Sequence, residues 1–128
     1  MIEGFAPQVR VFLYRHATDL RKSFNGLVAL TESKIQQDPL SGSYFVFVNR
    51  RQDRIKILYW GQTGYCIWYQ QLQRGTYHLP KHDELDGAEA IEMTRTQLSL
   101  ILDGIDLTSV RQRKRFERQR QATPIAVA

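Results

Sequence analysis

The 128-residue chain has one cysteine, Cys66. A disulfide framework is therefore excluded, as is a thiolate-rich zinc site, and the usage fits a reducing cytoplasmic setting. Within Tyr65-Cys66-Ile67-Trp68 the thiol reads as a small core group rather than a nucleophile. Long hydrophobic runs are missing too. The longest, Tyr44-Phe45-Val46-Phe47-Val48, is far too short to cross a bilayer, so no membrane association is expected. The segment Met1-Ile2-Glu3-Gly4-Phe5 lacks the basic and apolar regions of a secretory signal. There is no internal repeat.

A recognisable catalytic set is also lacking. Asp19 stands at an expected helix start, Asp53 at a hairpin tip, and the acids of residues 83–92 in an expected loop. None of these patterns converges carboxylates on two metal ions. His78 and His82 are four apart, but Pro80 between them breaks the helix that a metal-binding pair would need, and His16 has no evident partner. Gly61-Gln62-Thr63-Gly64 lacks the lysine and the length of a phosphate loop and reads as a turn. The expectation is a protein without catalytic residues, metal, cofactor or small-molecule substrate.

What the chain does have is a globular balance, 42% hydrophobic and 24% charged, in a length that suits one domain. Its formal charge of +5 is unevenly spread. Residues 1–80 carry ten Lys/Arg against five Asp/Glu, residues 81–110 two against seven, and residues 111–128 six against one. The middle stretch cancels the body, and the tail supplies the excess. A basic tail is suited to nucleic acid or another acidic partner, and also to keeping a surface solvated. The expected division is a single domain over 1–107 and a basic C-terminal tail over 108–128 that is mobile or orders on a partner.

The periodicity predicts an α+β fold, a small and mainly antiparallel sheet with two main helices. Val9 to Tyr14 alternates as a half-buried strand. Thr18-Asp19 reads as a helix start, followed by Leu20, Phe24, Leu27, Thr31 and Ile35 as an apolar stripe. Gly26 in that stripe marks a close approach, expected against the sheet. Asp38-Pro39-Leu40-Ser41-Gly42 turns the chain into the wholly apolar strand Tyr44–Val48. A polar connection leads to a returning strand Ile55–Trp60 in an antiparallel hairpin. Residues 65–74 fit strand or short helix. Thr76–Leu79 reads as a short strand stopped by Pro80, residues 81–92 as an acidic loop, and Thr96 as the cap of a helix carrying Leu98, Ile101 and Leu102, with Gly104 at its end.

Two segments carry a resemblance. One is Thr18-Asp19-Leu20-Arg21-Lys22-Ser23-Phe24-Asn25-Gly26-Leu27. The other runs from Phe45-Val46-Phe47 through Arg50-Arg51-Gln52-Asp53-Arg54-Ile55-Lys56-Ile57-Leu58-Tyr59-Trp60 to Gly64-Tyr65-Cys66-Ile67-Trp68-Tyr69, Leu72 and Gly75. Together they resemble the small accessory protein, TnpB-type, encoded by the second open reading frame of the insertion sequence 66 family of bacterial transposable elements. The similarity spans about Pro7 to Pro80, with a weaker echo at Leu98–Asp106. It departs from the family at Ser23, where glycine is common, and at Gln70 and Gln71, where a Lys-Arg pair often stands. The resemblance implies a non-catalytic accessory role in DNA transposition, beside a separate transposase that performs strand transfer.

Within that frame the expected partners are DNA and the transposase. Arg50, Arg51, Arg54 and Lys56 cluster on the expected hairpin, where guanidinium groups can pair with phosphates. Arg21 and Lys22, off the apolar stripe, extend that basic surface if their element lies alongside. Arg111, Arg113, Lys114 and Arg115 supply non-specific affinity from the tail. Tyr59, Trp60, Tyr65, Trp68 and Tyr69 crowd one window. Such a cluster is most often core, and one face of it, through Trp60, Tyr65, Trp68 and Tyr69, can serve as a partner surface. An alternative is a protein adaptor that meets the transposase through the aromatic face and residues 83–92, without functional DNA contact.

Overall fold

The computed structural model describes residues 9–81 and 87–104. Five strands form one sheet: β1 (Val11–Tyr14), β2 (Tyr44–Val48), β3 (Arg54–Trp60), β4 (Tyr65–Gln71) and β5 (Ala90–Met93). Their spatial order is β4-β3-β2-β1-β5. The β2–β3, β3–β4 and β1–β5 pairs are antiparallel, while β1 and β2 run parallel. A parallel neighbour needs a crossover, and α1 (Phe24–Leu30) with a wider helical turn at Thr31–Ile35 supplies it. The second helix, α2, spans Arg95–Leu102. The architecture is α+β, as the periodicity predicts.

Alternation on the strands builds two cores. On one face Phe12, Tyr14, Phe45, Phe47 and Leu58 pack under Leu20, Leu27 and Ile35. On the other, Val11, Leu13, Val46, Ile55 and Ile57 pack under Leu98, Ile101 and Leu102 of α2, joined by Tyr77 and Met93. β2 is central and buried at every position, which explains its unbroken apolar run. Emptying a site such as Phe45 would cost about 3–5 kcal/mol.

Several local expectations are corrected. Thr18 does not start a helix: its N–H donates to Val48 O at 2.9 Å, which fastens this segment to the sheet. Asp19 instead closes a tight turn, accepting from the Arg21 N–H at 3.0 Å and, through its carbonyl, from the Lys22 N–H at 3.1 Å. The helix begins after Ser23, and Phe24 faces solvent rather than the core. The close approach at Gly26 is to the side-chain stem of Lys22, 3.1 Å from where a Cβ would stand, and not to the sheet.

The last turn of this helical unit widens. Thr31 and Ser33 hydroxyls donate back to the carbonyls of Leu27 and Ala29, and Gln36 closes the turn in the left-handed region at φ 60°. Residues 65–71 are strand, not helix. Thr76–Leu79 is not a strand, and within it Tyr77 is buried and bonded to the hairpin through Gln52 O. Residues 90–92, expected in a loop, belong to edge strand β5, while residues 82–86 of that stretch lie outside the described residues. The cap of α2 is Thr94, not Thr96. Thr94 and Gln97 form a reciprocal capping box, with the Gln97 N–H donating to Thr94 Oγ1 at 3.0 Å and the Thr94 N–H to Gln97 Oε1 at 2.9 Å.

Candidate nucleic-acid interface

The β2–β3 hairpin turns on Asn49. Its Oδ1 accepts from the N–H groups of Asp53 and Arg54 at 3.0 Å each, and its Nδ2 donates to Asp53 Oδ1 at 2.7 Å. Gln52 adopts φ 59°, and its N–H donates to Asn49 O at 3.0 Å. Asp53 is thereby held by an asparagine rather than by an arginine. Among the described residues no acidic side chain pairs with Arg50, Arg51 or Arg54, and all three are exposed.

The tip is braced from behind. Leu72 N–H donates to Asp53 O at 2.8 Å and Tyr77 N–H to Gln52 O at 2.7 Å. The buried Tyr77 hydroxyl donates to Gln70 Oε1 at 2.8 Å. Burial, with the nearby Asp53 charge, pushes its pKa up to about 12. An irregular segment thus fixes the hairpin end with backbone hydrogen bonds.

On the opposite sheet face the segment of residues 17–22 lies beside this tip, held by Lys56. Lys56 is only 9% exposed, and its Nζ donates to Leu20 O at 2.7 Å and Lys22 O at 2.9 Å. The same ammonium lies 4.8 Å from the centre of the Tyr69 ring, its neighbour across the β3–β4 pair. A lysine amid Ile55, Ile57 and Leu58 is tolerated because its donors are used inside the protein.

Between the hairpin tip and this segment lies an open cleft of about 540 Å3, whose lining includes Asp19, Arg21, Asn49, Arg50, Arg51, Arg54 and Tyr69. Arg21 pairs with Asp19, Nη2 to Oδ2 at 2.6 Å. That pairing holds the Asp19 carboxyl well below the usual carboxylate range and raises Arg21. Asp19 offsets one guanidinium, and those of Arg50, Arg51 and Arg54 remain unopposed.

The structure therefore brings Arg21 together with Arg50, Arg51 and Arg54. Lys22 is exposed but does not line the cleft, and Lys56 is buried as a strut. Arg111, Arg113, Lys114 and Arg115 lie outside the described residues. The aromatic residues do not share one surface. Trp60 and Tyr65 meet edge to face at 5.1 Å, Tyr65 packs with the α1-side core, and Trp68 packs with the α2-side core. Tyr69 is 49% exposed in the cleft wall. Sequence reasoning missed the strut role of Lys56 and the pairing of Asp19 with Arg21. The visible signal for the first was a lysine alternating into an apolar strand. Among the described residues no group of three His, Cys, Asp or Glu is arranged to hold a metal, and no helix is long and apolar enough to cross a membrane.

A family model described as IS66 Orf2-like protein matches residues 9–112, which take in every strand and helix above and the whole cleft. The chain belongs to the IS66 Orf2-like family. Membership gives this IS66 Orf2-like protein a transposition-associated accessory role. Two proteins of Sinorhizobium fredii are similar to it. Protein y4jC is 33% identical over 110 residues, covering 86% of this chain and 91% of its own length. Protein y4hO is 32% identical over 98 residues, covering 77% and 82%. No solved structure matches the chain.

Proposed function

We propose that this IS66 Orf2-like protein contacts DNA through the arginine cleft and so assists the element's separate transposase, without performing strand transfer itself. The observation that carries this reading is the convergence of two chain segments, distant in sequence, on one concavity with three guanidinium groups left unopposed. Guanidinium is always charged and pairs bidentately with phosphate, so the cleft is chemically fitted to a nucleic-acid backbone. The tail residues Arg111, Arg113, Lys114 and Arg115 add non-specific attraction. Fluorescence anisotropy of the full chain on a labelled duplex tests the reading. The combined variant R50A/R51A/R54A is expected to bind more weakly with an unchanged fold, and its log–log salt slope should be shallower by about 2–3. Unchanged affinity and slope remove the cleft from the account.

A second reading, a protein adaptor, is favoured by β4. This edge strand, Tyr65–Gln71, carries no charged side chain, and among the described residues no strand pairs with its outer side. An unprotected edge of this kind is suited to pairing with a partner's strand. Retention of transposase by the tagged protein in nuclease-treated lysate, lost on placing proline at Ile67, supports it. Absence of any such complex counts against it.

A further inference from the structure

We infer that the cleft receives an unpaired nucleotide, its base stacked on Tyr69 and its flanking phosphates held by Arg50, Arg51 and Arg54. The inference rests on the reading of the cleft as a DNA contact and names the form of DNA it takes. Tyr69 is one of few large hydrophobic side chains among the described residues left exposed, and it stands in the wall of the arginine cleft. Its backbone is fixed in the β3–β4 ladder. Its ring is further set by the Lys56 ammonium, which is itself anchored by two backbone carbonyls. The aromatic surface is therefore preorganised, and little side-chain freedom remains to be lost on binding.

A duplex has no use for such a surface. Its base faces are covered by neighbours in the stack, and only edges and phosphates are presented outward. An unpaired base offers a free face, and an aromatic ring beside a cationic track is how sequence-tolerant single-strand sites are built. Arg50, Arg51 and Arg54 supply that track, at the end of β3 next to the β4 position that carries Tyr69. The one acid among the lining residues, Asp19, is paired with Arg21, which offsets most of its repulsion of the strand.

The test compares three labelled ligands by anisotropy on the full chain: a short single strand, the same sequence as a blunt duplex, and an abasic strand of equal length and charge. The wild type is expected to bind the single strand roughly tenfold more tightly than the abasic strand. Y69L is expected to erase that difference, and Y69F to preserve it. Equal binding of base-bearing and abasic strands by the wild type, or a preference that survives in Y69L, overturns the inference. The arginine variant separates the two readings. If R50A/R51A/R54A weakens all three ligands while Y69L changes nothing, only the stacking is lost; if it weakens none, the DNA reading of the cleft falls as well.

Discussion

The Lys56 ammonium lies 4.8 Å from the centre of the Tyr69 ring, opposite it in the β3–β4 register, and donates to the carbonyls of Leu20 and Lys22. One buried charge thus ties a loop, a strand and an aromatic side chain into the wall of the cleft. In K56M both carbonyls lose a charged donor within a partly buried site. The expected loss is about 1–3 kcal/mol in urea unfolding, together with weaker DNA binding even though Lys56 itself faces inward. A variant as stable and as tight as the wild type contradicts the strut.

Asp19 is expected to act on binding in the opposite direction. Its carboxylate holds Arg21 while placing a negative charge at the cleft. D19N keeps an oxygen to accept from the Arg21 N–H and removes the charge. DNA affinity at low salt is expected to rise by roughly two- to fivefold and the gain to fade with added salt. Weaker binding by D19N at low salt would contradict an electrostatic cleft.

The brace behind the hairpin has a pH signature. Tyr77 is neutral in the fold, with its pKa pushed from the ordinary 10 up to about 12. Its contribution is complete below pH 10 and is lost as pH rises towards 12, because the unfolded chain ionises first. The loss amounts to about 2–3 kcal/mol at most. Thermal melting across that window should fall steeply for the wild type and less so for Y77F. At neutral pH, Y77F should cost about 1 kcal/mol through its lost bond to Gln70. Superimposable alkaline limbs would remove Tyr77 as the titrating group.

Stability and binding are separable through α2. Its capping box lies at Thr94, and its apolar residues pack on the sheet face opposite Lys56 and Tyr69. T94A should cost about 1 kcal/mol in denaturant unfolding with DNA affinity unchanged. Affinity that falls in step with this stability loss would mean that the binding assays report folding rather than the cleft.

Period-two alternation made β1 and β3 legible in the sequence, and β2 was legible as an unbroken apolar run, because it presents side chains to two cores. The start of α1 was not legible: Thr18 has the chemistry of a cap, and only the distant Val48 carbonyl draws its N–H to the sheet. β5 was hidden for a similar reason. Ala90–Met93 is four residues long, and its pairing partner is β1, at the other end of the sequence. The hairpin arginines were visible as a cluster, whereas their meeting with Arg21 required the tertiary fold. Lys56 read as surface charge because composition does not show where its donors go. Tyr69 read as core or as part of a protein-partner face, because its register opposite Lys56 appears only once residues 65–71 are known to be strand.

The most direct test of the proposed DNA contact at the cleft is an amide-resolved NMR titration of the full chain with a short single-stranded oligonucleotide. The account predicts that the largest shifts fall together at residues 17–22, at 49–54 and at Tyr69, and that R50A/R51A/R54A abolishes them. Shifts centred on the outer edge of β4 away from Tyr69, on α2 or on residues 105–128, with the cleft amides still, would contradict it.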